Sequence, residues 1–248
     1  MEFNIAALLA PENLVALGTL TVLEIVLGVD NILFISIISE KLPKEQQPRA
    51  RVVGLALALI FRLALLFMIS WLVHFTEPLF TLFELDFSGR DLILLGGGFF
   101  LLVKTISEIH NKVEGDEEGH GPKVKPRTFM SVIVMIILVD MVFSFDSILT
   151  AVGMVDELSI MVAAVVLAMI VMLVFVNKIS RIINNHPGIQ MLALSFLILI
   201  SFVLILDGLH QHIERGFVYF ALFFSLIVEV LNIRSQNNRK KPKPNEPN

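Results

Sequence analysis

Apolar residues run along the chain in seven blocks, at about 13–38, 52–73, 91–109, 129–152, 158–176, 189–209 and 217–233, with short polar stretches between them. Most blocks are near the roughly 20 residues that a helix needs to cross the hydrocarbon core of a bilayer. The pattern predicts an all-α, polytopic membrane protein with seven transmembrane helices. The first block does not read as a cleavable signal peptide: its leader holds Glu2 and Glu12, lacks a positive n-region, and the block is too long.

Three stretches break the pattern. The segment HFTEPLFTLFELDF at 74–87 is apolar but interrupted by Pro78 and acids, and is expected to be an interfacial loop on the outer face. The stretch EGDEEGHGPKVKPR at 114–127 is polar and rich in Gly and Pro, and reads as a linker between two halves. Residues 235–248 are polar and Pro-rich, and are expected to form a disordered cytosolic tail. One transmembrane domain over 1–234 accounts for the rest.

Loop charge orients the spans. Lys and Arg are concentrated near one side of a membrane, the cytosolic one. The first loop carries Lys41, Lys44, Arg49 and Arg51; the third Lys112, Lys123, Lys125 and Arg127; the fifth Lys178 and Arg181; the tail Arg234, Arg239, Lys240, Lys241 and Lys243. The N-terminal leader has no base, the fourth loop has Asp156 and Glu157, and the second and sixth have only Arg90 and Arg215. Seven spans fit this alternation, with the N-terminus outside and the C-terminus in the cytosol of a bacterial inner membrane.

Composition agrees. The 248 residues are 56% hydrophobic and 17% charged, with no cysteine; a soluble domain would carry about a quarter charged residues. A disulfide, a thiolate metal site and a cysteine nucleophile are excluded. Spacings of a hydrolase triad or metal hydrolase are missing, so an enzyme is not expected, nor is a nucleic-acid partner.

The candidate chemistry lies inside the spans. EIVLGVDNIL at 24–33 and DMVFSFDSIL at 140–149 align without a gap. Each has an acid near mid-span (Glu24, Asp140), a small residue (Gly28, Ser144), a second acid (Asp30, Asp146) and a polar residue (Asn31, Ser147). Block one and block four cross in opposite directions, and a weaker echo links SEIH at 107–110 with DGLH at 207–210. Blocks one to three (about 13–110) and four to six (about 129–210) thus read as inverted-topology repeats with a seventh helix added, an architecture of secondary transporters whose site lies at the midplane.

Each second acid lies roughly 9 Å along the helix from the first, Asp30 toward the cytosol and Asp146 toward the outside. On a straight helix the two acids of one motif point about 240° apart; a break at Gly28 or Ser144 would turn both inward. With such a break, all four acids are expected to converge on one cavity. Four membrane acids facing lipid would cost on the order of 10 kcal/mol, and Arg62, near the middle of block two, is the best candidate partner. One Arg cannot offset four carboxylates, so a cation or protons must supply the remaining charge. Carboxylates with Asn31 and Ser147 make an oxygen-rich site suited to Mn²⁺, Mg²⁺ or Ca²⁺. His110, His186, His210 and His212 sit at span ends and are weaker candidates. Leu95–Phe100, LGGGFF, is no phosphate loop; its glycines are expected to let helices approach closely.

With these motifs in view, the chain resembles the TerC family of integral membrane proteins. The matching stretches are LEIVLGVDNILF at 23–34, LLVKTISEIH at 101–110, LVDMVFSFDSILTAVG at 138–153 and GFVYFALFFSLIVEVLN at 216–232. Longer relatives carry cytosolic CBS and transporter-associated domains. The resemblance implies metal-ion export with Mn²⁺ as the favoured substrate, no permanently bound cofactor, and Glu24, Asp30, Asn31, Asp140 and Asp146 as ion-binding residues. Ser147 stands where the first motif has Asn31, so the halves need not bind equally. Relatives also imply links to membrane-protein insertion or secretion. Two rivals stand beside the exporter: a non-transporting scaffold that assists insertion or metal loading of secreted proteins, and an exporter of a small organic cation.

Overall fold

A computed structural model describes residues 11–68, 76–82, 85–114, 128–155 and 157–239. Among these residues the helices are α1 (Pro11–Ser39), α2 (Gln47–Phe67), α3 (Gly89–Glu114), α4 (Phe129–Met154), α5 (Leu158–Asn185), α6 (Pro187–Gly208) and α7 (Arg215–Arg239). All seven are long and apolar enough to cross a membrane. Their boundaries follow local chemistry. Pro48 and Pro187 sit in the first turns of α2 and α6, where a missing N–H costs nothing. Thr128 caps α4 by accepting from the Ser131 N–H.

Three expectations are corrected. The segment after residue 75 is not simply a loop: β1 (Pro78–Leu82) and β2 (Leu85–Ser88) pair antiparallel, with Thr81 opposite Asp86. Phe80 stacks on Phe87 at 5.6 Å and the Thr81 hydroxyl donates to Asp86 at 2.6 Å, so cross-strand contacts hold the hairpin. Residues 74–75 and 83–84 of that segment lie outside the described residues, as do 115–127 of the expected linker. α5 runs nine residues past its expected end, because Val176, Ser180 and Ile183 keep one buried face until Pro187. Residues 235–239, expected as disordered tail, are the last turn of α7; 240–248 lie outside the described residues.

Helix ends alternate between two faces. At a basic end meet the C-terminal ends of α1, α3 and α5 and the N-terminal ends of α2 and α6: Lys41 pairs with Glu108, Arg51 bonds Ser39 and Asn177, and Lys112 and Gln190 hold Glu40. The opposite, hairpin end joins the start of α3 to the ends of α4 and α6, through Arg90 with Asp146 and Asp91 with His210.

Packing follows one exchange rule. α1 lies along α5 as α4 lies along α2, while α3 lies along α6. Small residues make these approaches possible. A Cβ on Gly28 would fall 2.3 Å from the Met172 sulfur of α5, and one on Gly54 2.7 Å from Ile136 of α4. Gly97 is pressed against Val142, and Gly98 against the Ser201 carbonyl and Ile205. α7 is the peripheral helix. It packs on α6 and turns Phe217, Phe220, Phe223 and Phe224 outward, the surface a lipid chain would meet.

Candidate ion-binding site in the helix core

At the crossing of α1, α2 and α4 lies a buried polar network. Arg62 is 2% exposed, Glu24 1% and Asp140 2%. Arg62 Nη1 donates to Glu24 Oε2 at 2.6 Å, and Arg62 Nε donates to Ser144 Oγ at 2.8 Å. Ser144 passes the polarity on, donating to Asp140 Oδ2 at 2.9 Å. Asn31 Nδ2 donates to Asp140 Oδ1 at 2.7 Å, and Arg62 Nη2 lies 3.6 Å from the same oxygen. On α1 the order is Glu24 then Asn31; on α4 the matching order is Ser144 then Asp140. The two motif helices therefore cross antiparallel.

The network is short of positive charge and of donors. With both carboxylates ionised, Glu24 and Asp140 bring two negative charges and Arg62 one positive. Glu24 Oε1 and Asn31 Oδ1 are buried with no hydrogen-bond partner. Buried acceptors are almost always satisfied, and each orphan costs about 1–3 kcal/mol. The two oxygens lie seven residues apart on α1, roughly 10 Å along its axis, and each is an acceptor open to a donor or a cation. The space against Glu24 is small, a cavity of about 10 Å³, no more than about one water-sized probe.

Convergence of all four acids is not what the structure has. Asp30 accepts from the Tyr219 hydroxyl of α7 at 3.4 Å. Asp146 pairs with Arg90 Nη2 of α3 at 2.6 Å. Among the described residues, no three His, Asp or Glu side chains are grouped to hold one metal ion. The reason is geometric: α1 and α4 run unbroken through Gly28 and Ser144, so the 240° between the acids of each motif persists. Both remain buried because α1 and α4 are surrounded, and each acid meets a different neighbour. Ser147, also buried, turns its hydroxyl onto the Ser144 carbonyl at 3.3 Å and away from the network.

Arg90, Tyr219 and Ser144 are the participants that sequence reasoning did not single out as polar partners. Signals existed. Arg90 is the lone base beside the acids of its loop. Tyr219 is the single tyrosine of a chain with 20 phenylalanines, and a hydroxyl in a Phe-rich helix needs an acceptor. Arg90 also lines a cavity of about 460 Å³ at the hairpin end, with Asp86, Asp91, Thr150 and His210. His210 adopts a φ of 61°, uncommon outside glycine, and hydrogen-bonds Asp91 at 3.1 Å. Of the echo motif, Asp207 is held by His212 at 3.2 Å and Glu108 by Lys41, at opposite ends of the bundle.

Fold and core define a class: polytopic helical membrane proteins that keep charged side chains within the bilayer interior. The chain matches the model of the integral membrane protein TerC family over residues 9–243, and it belongs to that family. It is 51% identical to the UPF0053 inner membrane protein YgdQ of Escherichia coli K12 over 232 residues, covering 94% of this chain and 96% of that one. Identity to the UPF0053 inner membrane protein YoaE of the same strain is 47%, over 96% of this chain but 45% of YoaE. The UPF0053 protein YegH is 46% identical, over 93% of this chain and 44% of its own length. No solved structure matches.

Proposed function

We propose that the chain is an inner-membrane exporter of divalent metal cations, with Mn²⁺ as the favoured substrate, and neither an enzyme nor the holder of a resident cofactor. One observation carries the reading: the buried Glu24–Arg62–Asp140 network has a residual negative charge and two unpartnered oxygens, Glu24 Oε1 and Asn31 Oδ1. Oxygen donors of this kind suit hard divalent ions. The roughly 10 Å³ of space beside Glu24, walled otherwise by apolar side chains such as Leu20, Leu66 and Ile148, is too small for an organic cation.

The arrangement suggests a mechanism by exchange of counter-charge. Arg62 pairs with Glu24 and partly compensates Asp140 while the site is empty of substrate. An arriving cation takes over the carboxylates, and Arg62 keeps its hydrogen bond to Ser144. Asp30, toward the basic end, serves the approach from the cytosol. Asp146, toward the hairpin end, serves release, with Arg90 exchanging for the departing ion. Protons compete for the same carboxylates and can couple the cycle.

The test is Mn²⁺ efflux and protein abundance for Glu24→Gln and Asp140→Asn, measured side by side in cells. Both variants lose a membrane charge, which lowers insertion cost, so both are expected at normal abundance. Efflux should fall to background, with sensitivity to excess Mn²⁺. Wild-type efflux from both would overturn the assignment. Normal Mn²⁺ handling with impaired secretion or insertion would favour the scaffold instead.

A further inference from the structure

Arg51 is charged and 5% exposed. Its Nε donates to Ser39 Oγ at 2.8 Å, Nη2 to Gln47 Oε1 at 3.2 Å and Nη1 to Asn177 Oδ1 at 3.4 Å. Every one of these acceptors is neutral. Among the described residues no Asp or Glu lies within ion-pair distance of it. Glu40 is the acid whose charge acts on Arg51, but it does so from beyond ion-pair distance and is shared: Gln190 donates to its carboxylate, and Lys112 lies 3.8 Å from it. A guanidinium has five N–H donors, so three bonds leave two. A buried charge whose counter-ion stands off and is shared is incompletely compensated, at a cost in stability.

The same side chain lines a cavity of about 880 Å³ at the basic end, between the α1–α2 turn and the end of α5. Lys44 and Arg181 line it too, with Gln47, Asn177, Asn184 and Asn185. Asn184 has a buried amide oxygen with no partner; rotating that amide would present its NH₂ to the same space. Three cations, one occupied acid and several amides describe a receptor for a phosphate group. The membrane supplies a reason to prefer a lipid phosphate over a soluble one. Val52 and Val53, next in sequence to Arg51, and Ile182, next to Arg181, do not line the cavity but are 41%, 40% and 52% exposed, apolar surface on the same helices for acyl chains to meet. Basic pockets between helices at the cytosolic interface bind anionic headgroups, and the basic loops assign this end to the cytosol.

We propose that the cavity at Arg51 and Arg181 is a binding site for the phosphate of an anionic phospholipid of the inner leaflet, whose charge completes the compensation of Arg51. The site is separate from the Glu24–Asp140 network and does not rest on the transport reading. In nanodiscs of phosphatidylcholine with added phosphatidylglycerol, native mass spectrometry of the released full-length protein should show one retained phosphatidylglycerol per chain. Arg181→Gln and Lys44→Gln, both at exposed positions, and Arg51→Gln should each weaken retention by about tenfold. Phosphatidylglycerol should also raise the thermal midpoint of the wild type but not of Arg181→Gln. A control arm adds inorganic phosphate to discs of phosphatidylcholine alone. Equal retention of both lipids by the wild type would overturn the proposal, as would undiminished retention by Arg181→Gln and Lys44→Gln. A thermal shift produced by inorganic phosphate alone would make this a soluble-anion site and overturn the lipid assignment.

Discussion

Arg62 is the residue on which the core depends. It compensates Glu24 and part of Asp140, and the hydroxyl of Ser144 holds it in place. Removing one partner of a buried charge pair costs about 3–5 kcal/mol, because the other charge is left uncompensated. Arg62→Leu is therefore expected to unfold at a clearly lower temperature in detergent. Pairing it with Glu24→Gln should recover part of the loss, since fewer carboxylates are then stranded. Lys104→Leu is the contrast. Its amine lies 5.9 Å from the Phe100 ring centroid and within reach of the basic end, where it can snorkel, so the change should be small. A double variant no more stable than Arg62→Leu would mean that the guanidinium acts through something other than these carboxylates.

Element packing turns on where a side chain would go. The three consecutive glycines of α3 look alike in sequence but face different surroundings. A Cβ on Gly98 would meet Ile205 at 2.8 Å and the Ser201 carbonyl at 3.0 Å, whereas one on Gly96 would meet nothing within 4 Å. Backbone cannot rotate out of the way. Gly98→Ala should thus force α3 off α6 and cost about 1–3 kcal/mol, while Gly96→Ala should be neutral or gain up to about 1 kcal/mol from helix propensity. Thermal midpoints of the two variants, purified identically, decide the matter; equal midpoints would mean that the α3–α6 contact has room for a methyl group at Gly98.

For the whole molecule, alternating ends and alternating charge make one statement. Lys41, Arg51, Lys112 and Gln190 gather at one face of the bundle, and the hairpin, Asp91 and His210 at the other. The positive-inside rule then orients the protein. Reporter fusions after Glu114 and after Asn238 should both report cytosol, and a fusion in the α4–α5 turn, after Val155, the outside. Fusions at 114 and 155 reporting the same side would contradict the seven-helix path. Exchange of α1 with α4, and of α5 with α2, leaves the main helix contacts in place, yet the exchange is imperfect. Met172 lies against Gly28 of the first motif, where Arg62 reaches Ser144 of the second. The two halves present different chemistry to their motifs.

Number and order of the spans were legible in sequence because hydrophobic block length is a local property, and lipid demands a helix wherever it is met. The acids were legible for the same reason: a carboxylate in an apolar run stands out without knowledge of its neighbours. What α1 and α4 do at Gly28 and Ser144 was not. A small residue permits a break, but the backbone stays helical because α5 and α2 close against it through Met172 and Arg62. That continuity fixes the rotation of each acid, sending Asp30 to Tyr219 and Asp146 to Arg90 while Glu24 and Asp140 share Arg62. Residues up to 189 positions apart make these pairs, and no local pattern encodes them. Sequence alone determined that buried charge exists in this protein; the packing of unbroken helices decided which charges meet.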